Sequence, residues 1–160
     1  MNAYEAPGID DIQLVSFRLG VDLYAMDILQ LRRILRWEPA VPHAAAPDFV
    51  EGVLRQDGGW LPVVDLRKRF GLPAPVTDET RIVVLDLGVQ QVGVVVDAAR
   101  QVLRVDSATI AASPPSAHGL PAEYVAGQLA RPERTILVLN PQRILSASER
   151  EALRRLESAP

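Results

Sequence analysis

Apolar and polar residues alternate, imperfectly, along several short stretches of the chain, and this period of two is typical of half-buried β-strands. Residues 14–20 (LVSFRLG) show it well, because Val15, Phe17 and Leu19 fall on one face and Ser16 and Arg18 on the other. Similar short stretches, separated by glycine, proline and aspartate, recur until about residue 140. Many short strands between turn signals favour an antiparallel sandwich or a small barrel. The pattern therefore predicts a mainly β protein.

The chain carries an internal repeat. Gly52 in VEGVL is followed thirteen residues later by Asp65, and Gly127 in VAGQL is followed thirteen residues later by Asn140. Aspartate and asparagine each close an apolar strand and are good helix N-caps, and Pro141 stands at a first helical position that tolerates a missing N–H. Each half is therefore expected to contain a glycine-marked strand, a turn, a buried strand and a short capped helix.

The segments upstream of these units also correspond. Residues 14–20 and 82–88 (IVVLDLG) both end in Leu-Gly and are followed by valine. Each leads into a second strand that ends in aspartate, Asp27 or Asp97. The alternative is that any two valine-rich strand pairs look alike, since four identities in 21 aligned residues are few.

The repeat predicts two small barrels packed on each other, one from each half of a domain at 13–145. The halves would span about 13–72 and 80–145, and an exchange of strands between them stays open. We expect the interface between the barrels to be lined by Val64, Val95 and Val138.

Several segments fall outside this repeat. Residues 1–12 are expected to form a tail, and residues 73–78 and 111–121 to form a linker and a loop. Residues 146–160 predict a terminal helix and tail, with a capping box at either Ser146 and Glu149 or Ser148 and Glu151, and with Leu153 and Leu156 on its apolar face. Residues 29–36 fit either a helix or an irregular strand.

Composition restricts the possible functions. A chain of 160 residues with 48% hydrophobic residues suits one compact domain. The net charge of −3 and an aromatic content of 5% argue against nucleic-acid binding. There is no cysteine, the first residues are polar and acidic, and no apolar run approaches the roughly 18 residues of a membrane span. We therefore expect a cytoplasmic protein without membrane insertion.

Candidate catalytic residues are few. His43 and His118 lie in proline- and alanine-rich segments without a second ligand at metal-binding spacing, so we expect neither a metal site nor a cofactor. Nucleophile and phosphate-binding motifs are lacking, and Gly58-Gly59 signals a hairpin turn instead. Asp65 and Asp97 are interpreted, like Asn140, as capping residues rather than as a carboxylate pair. A binding protein is therefore favoured over an enzyme.

Six segments in order resemble the CheW family: QLVSFRLG, YAMDILQLRRIL, FVEGVLRQDGGWLPVVDLRKRFGL, TRIVVLDLG, VGVVVDAARQVL and RTILVLNPQRIL. The resemblance runs from about residue 13 to residue 145. It implies two five-stranded β-barrel subdomains, short helices and a non-catalytic adaptor function. It also implies two partners: the hairpin tip of a chemoreceptor, held in a groove between the subdomains, and the regulatory domain of a CheA-type histidine kinase.

Two charged positions depart from the family pattern. Arg55-Gln56-Asp57-Gly58 stands where the family commonly has Asn-Leu-Arg-Gly, and Arg33 stands where it commonly has glutamate. Both signs are reversed, so we hypothesise that Arg33 and Asp57 form a re-coded specificity pair. The alternative is drift, with Arg55 and Asp57 merely solvated.

Three further positions match family positions that contact partners: Leu31, Gly52 and Val102. Core packing or, for Gly52, backbone geometry would explain them equally. Two other functions stay open beside the adaptor: a divergent scaffold that binds partners without controlling a kinase, and a small β-barrel enzyme.

Overall fold

The computed structural model describes residues 11–113, 117–158 and 160. Residues 1–10 of the expected tail lie outside the described residues, as do Pro114 and Pro115 of the expected loop. The first strand begins at Asp11, so the last two residues of the expected tail belong to a sheet.

The described residues form strands and short helices in the following order. The strands are β1 (Asp11–Leu19), β2 (Asp22–Asp27), β3 (Leu31–Arg36), β4 (Val50–Gln56), β5 (Gly59–Asp65), β6 (Arg81–Asp86), β7 (Gln91–Val96), β8 (Ala98–Asp106), β9 (Val125–Ala130) and β10 (Thr135–Leu139). The α-helices are α1 (Leu66–Arg69), α2 (Pro141–Ile144) and α3 (Ala147–Arg154). Single 3-10 turns occur at Ile28–Gln30, Ser107–Thr109, Ala117–Gly119, Ala122–Tyr124 and Arg155–Glu157.

The strands form two five-stranded sheets built on the same plan. The first sheet has the order β8-β1-β2-β10-β9 and the second the order β3-β6-β7-β5-β4. In each, two antiparallel hairpins are joined by one parallel pair, β2 with β10 or β7 with β5. The mainly β fold is therefore confirmed. The sheets are open rather than closed barrels, and the first takes strands from both ends of the domain.

The strand register corrects one detail of the repeat. Val138 pairs with Ala25, and its counterpart Val63 pairs with Gly93. Asp27 therefore occupies the place of Val95, two residues before Asp97. The two aspartates that end the second strands are not equivalent.

The core joins the sheets. Apolar side chains from β1, β2 and β10 meet those of β5, β6 and β7 in one shared cluster, which also includes residues of the helices. Val64 lies in this cluster as predicted. Val95 and Val138 do not: they pack in smaller clusters on the other faces of their own sheets. Because side chains alternate along a strand, these two predictions erred by one residue, and Val94, Val96, Leu137 and Leu139 line the interface instead.

The predicted helix caps are present. Asp65 Oδ1 accepts a hydrogen bond of 3.0 Å from the Arg67 amide, and Asn140 Oδ1 one of 3.1 Å from the Gln142 amide. The capping box of α3 uses Ser146 and Glu149, the first of the two alternatives.

The apolar face of the terminal helix is also as predicted. Leu153 and Leu156 are completely buried in the shared cluster, so α3 and the turn that follows it complete the core.

The segment at 29–36 is the irregular strand rather than the helix. A 3-10 turn capped by Asp27 precedes β3, whose register against β6 shifts between Leu31 and Arg33.

Candidate interaction surface

The hairpin between β4 and β5 presents Asp57 at its tip. Asp57 and Gly58 have φ angles of 48° and 78°, and two consecutive positive φ angles are what a type I′ turn requires. The turn thus lies one residue earlier than the Gly-Gly signal suggested, and Gly59 begins β5. Aspartate tolerates this left-handed conformation better than most residues, and the Asp57 side chain is largely exposed.

Arg33 and Asp57 form an ion pair, as the hypothesis required. The Arg33 Nη2 donates to Asp57 Oδ2, and the two side chains are 36% and 69% exposed. The pair joins opposite ends of the second sheet, because β3 and β4 are its two edge strands. The sheet is therefore curled without being closed, and the segment that follows β3 approaches β4 through an isolated bridge between Val41 and Val53.

A surface depression of about 350 Å³ lies beside this pair. Its walls include Arg33, Asp57, Trp60, Val89 and Glu157, the last from the turn after α3. The depression brings the hairpin, the edge strand β3 and the turn that follows α3 to one surface.

Arg55 has a different contact. Its guanidinium lies 5.3 Å from the ring centroid of Trp60, its cross-strand neighbour. Arg55 is therefore neither paired with Asp57 nor merely solvated, since it stacks on an aromatic face.

Gly52 is buried for a reason of backbone geometry. Its φ is +146°, and a Cβ there would lie 2.4 Å from the Val41 carbonyl oxygen. Gly127 meets the same demand in the other sheet, where a Cβ would lie 2.9 Å from the Ala111 oxygen. At both sites a chain segment crosses and pairs with the strand, which accounts for the repeated glycine.

The other two candidates occupy different places. Leu31 is half-buried at the start of β3 and packs against the shared cluster. Val102 lies on β8, the edge strand of the first sheet, and is 54% exposed. The structure brings Arg33 and Asp57 together, whereas Val102 belongs to a second surface.

A buried arginine network was missed in the sequence. Arg67 is 1% exposed; its Nε and Nη2 each donate to Asp65 at 3.0 Å, and its Nη1 donates to Asp97 Oδ1 at 3.0 Å. Asp97 Oδ2 accepts the Gly20 amide at 2.7 Å. The prediction that Asp97 is a capping residue is therefore wrong. Asp97 instead links the second sheet to the β1–β2 turn. The signal was an arginine two residues after a strand-closing aspartate.

The electrostatics of this network are those of a structural site. Burial lowers the pKa of Arg67, but the hydrogen bonds to Asp65 and Asp97 outweigh this and raise the pKa above its ordinary value. The guanidinium stays charged and its neighbouring carboxylates are occupied, so the network offers no free acid or base.

The histidines have local contacts. His43 Nδ1 accepts the Ala45 amide at 3.0 Å. The His118 ring lies edge-on to Tyr24, and its Nδ1 is 3.9 Å from Asp22. Within the described residues, no three His, Cys, Asp or Glu side chains are grouped so that they could hold a metal ion. No helix in the described part of the chain is long and apolar enough to cross a membrane.

Comparisons with known proteins give a consistent result. A family model described as "CheW-like domain" matches residues 13–149. The chain is 33% identical over 138 residues to the chemotaxis protein CheW of Klebsiella aerogenes, covering 86% of this chain and 83% of the relative. It is 32% identical over 143 residues to a probable chemotaxis protein CheW of Rhizobium etli, covering 89% and 92%. The crystal structure of the scaffolding protein TtCheW from Thermoanaerobacter tengcongensis superposes with a TM-score of 0.77 at 25% identity, over 86% of this chain and 94% of that one.

Proposed function

Because this chain belongs to the CheW-like domain family and shares its scaffold role in chemotaxis signalling, we propose that it joins a chemoreceptor to a CheA-type histidine kinase. The observation that carries the proposal is the match of fold and family across residues 13–149. The protein acts in the cytoplasm, where the receptor tip and the kinase meet, and it transforms no substrate. The family itself is one of non-catalytic scaffolds.

The proposal is tested with purified components. The receptor's hairpin tip and the kinase regulatory domain from the same organism should each bind the protein in a pull-down. Adding the protein to receptor and kinase should change the rate of kinase autophosphorylation. Unchanged autophosphorylation would contradict coupling.

The partner-facing residues in this proposal are Leu31, Arg33, Asp57 and Val102. Gly52 contributes through the backbone, because its α-carbon faces a crossing chain and not solvent. Asp57 is the most exposed member of the Arg33–Asp57 pair and so is the charge that a partner meets first.

The reversed pair selects the partner. A surface ion pair contributes only about 0–1 kcal/mol to stability. At an interface, however, a partner that places a like charge opposite the pair binds more weakly. Charge placement therefore discriminates between partners more than it raises affinity. A partner of this protein therefore carries a cationic residue where partners of the common family pattern present an anionic one.

A double-mutant cycle tests this role. Arg33→Glu and Asp57→Arg should each weaken binding of the cognate partner, since each leaves like charges facing one another, while the double variant should recover affinity for a partner of the common type. Binding is measured by isothermal titration calorimetry, with Arg131→Glu on the β9–β10 turn as control. Harmless single substitutions would rule out the pair as a specificity element.

A second candidate is a scaffold that binds partners without controlling a kinase. The reversal of both charges favours it, because the surface that a kinase-coupled receptor would meet has changed sign. The reconstituted assay separates the two functions: binding of the receptor without any effect on autophosphorylation supports this candidate.

A further inference from the structure

Each sheet has a surface cavity beside the carboxyl ends of its two parallel strands. The first-sheet cavity has a volume of about 360 Å³ and the second-sheet cavity one of about 280 Å³. Their shared wall positions are 75 residues apart, the offset that also relates Gly52 to Gly127. They are Glu51, Val63 and Asp65 in the second-sheet cavity, and Ala126, Val138 and Asn140 in the first-sheet cavity. The internal repeat therefore produces the same cavity in both sheets.

The strand pairing supports this correspondence independently. Asp27, a wall of the first-sheet cavity, pairs with Leu14 of β1, and Val95, a wall of the second-sheet cavity, pairs with Ile82 of β6. Leu14 and Ile82 are the first residues of the two segments that end in Leu-Gly. Strands β1 and β6 therefore correspond at an offset of 68 residues, and each enters its sheet at the end that carries the cavity.

The segment that leads into β6 forms one wall of the second-sheet cavity. Ala74 and Val76 line the cavity, and the Pro75 carbonyl oxygen between them accepts a hydrogen bond from Arg67 Nη1. An alanine before proline is restricted to extended conformations, and proline has no N–H that needs a partner. An Ala-Pro segment is therefore suited to crossing a partly apolar cavity.

The segment that leads into β1 repeats this sequence at the same offset. Residues 5–15 (EAPGIDDIQLV) align without a gap with residues 73–83 (PAPVTDETRIV), and the alanine, the proline, one aspartate and the last valine are identical. Ala6 and Pro7, which precede the described part of the chain, thus correspond to Ala74 and Pro75. The segment that lines the second-sheet cavity therefore has a counterpart directly before β1.

The walls of the first-sheet cavity fit this counterpart. Leu14 and Val138 belong to the apolar cluster of the first sheet, and Ile12 packs against that cluster, so they offer contact to alanine and proline side chains. Asn140 and Gln30 also line the cavity. Their side-chain amides can donate to a peptide carbonyl, as Arg67 does to Pro75 in the other sheet.

We propose that the first-sheet cavity binds the chain's own Ala6-Pro7 segment. This occupant is favoured over a segment of another protein because Ile12, a wall of the cavity, follows Pro7 by five residues, which span at most roughly 18 Å. A segment tethered so closely has an effective concentration in the millimolar range. The contact shields the apolar cluster of the first sheet and does not depend on the scaffold function.

The test uses the full chain labelled with 15N. Ala6→Asp brings a charge to the cavity, so the amide signals of Ile110 and Ala126 should shift, and their hydrogen exchange should accelerate about fourfold. Ala3→Asp, with the same charge on the same tail, should change neither. Ala74→Asp is the positive control and should shift the wall signals of the second-sheet cavity instead.

A peptide then separates binding of the segment from an indirect effect of the charge. The sequence Glu-Ala-Pro-Gly-Ile with both termini blocked, added at millimolar concentration to the Ala6→Asp protein, should return the wall signals toward their wild-type positions. The same peptide with aspartate in place of alanine should not. Equal effects of Ala6→Asp and Ala3→Asp, shifts confined to other parts of the molecule, or no response to the first peptide would each overturn the proposal.

Discussion

At the scale of single residues, the repeated glycines Gly52 and Gly127 are explained by the close approach of another chain segment to their α-carbons. Gly52 and Gly127 both lie where a crossing segment pairs with the strand, and both would place a Cβ within 2.9 Å of a carbonyl oxygen. Real Cβ atoms do not approach backbone that closely. Gly52 is therefore required by the curl of the sheet, whatever its contribution to partner binding.

Substitution of Gly52 by alanine should lower the free energy of unfolding by about 2–3 kcal/mol, because overpacking against backbone adds to the strain of a positive φ. Urea denaturation followed by tryptophan fluorescence measures this. Gly59→Ala is the matched control, since a Cβ there finds its nearest atom at 3.8 Å, and its effect should stay within about 0.5 kcal/mol. Equal stability of the Gly52 variant and wild type would contradict the close approach.

At the scale of elements, the terminal helix α3 is fixed to the rest of the molecule by its apolar face, by an ion pair and by a hydrogen bond of 3.1 Å from Gln90 Nε2 to the Arg150 carbonyl. Arg69 of α1 donates to both oxygens of Glu149, and its Nε donates to the Ile144 carbonyl at 3.0 Å. Burial raises the pKa of Glu149, but the hydrogen bonds from Arg69 and from the Ser146 backbone outweigh it and hold the pKa below the ordinary 4.5. Glu149 is thus both a helix cap and an anchor.

The contribution of Glu149 to the free energy of unfolding should therefore depend on pH. A carboxyl group whose folded-state pKa is depressed stabilises the protein above its unfolded-state pKa, and this contribution is lost as pH falls through the lower folded-state value. Glu149→Gln should be less stable than wild type at pH 7, and the difference should shrink progressively below about pH 4.5. Thermal unfolding by circular dichroism across this range measures it. A difference that stays constant with pH would exclude the ion pair as the source.

At the scale of the whole molecule, the two sheets behave as one structure because their joint contains both an apolar core and a buried charge network. The shared cluster draws on both sheets and on α3. Arg67 connects Asp65 and Asp97, and Asp97 in turn accepts a hydrogen bond from the Gly20 amide in the turn that joins β1 and β2 of the first sheet. A scaffold that presents surfaces on both sheets depends on this joint for their relative placement.

Replacing Arg67 by methionine should lower the free energy of unfolding by about 3–5 kcal/mol, since two buried carboxylates lose their partner. Lys68→Met is the control on the same helix: its ion pair with Glu51 is exposed, and its loss should cost no more than about 1 kcal/mol. Wild type should unfold in one transition, seen alike by tryptophan fluorescence from the second sheet and by circular dichroism from both. Two separated transitions would show that the sheets are independent.

Much of this protein follows from short-range features of its sequence. The alternation of apolar residues indicated the strands, the capping residues Asp65, Asn140 and Ser146 located the helices, and the resemblance identified the family and the opposed charges of Arg33 and Asp57. These succeed because a strand's period, a cap and a turn depend on a few neighbouring residues.

The tertiary structure decided what depends on distant partners. It assigned β1 and β2 to a sheet with β8, β9 and β10. It also turned Val94 and Val96, rather than Val95, toward the core between the sheets, and it paired Asp97 with Arg67. Sheet pairing and the choice of face are set by burial against segments tens of residues away, and a shift of one residue reverses every side chain, so local pattern could not resolve them.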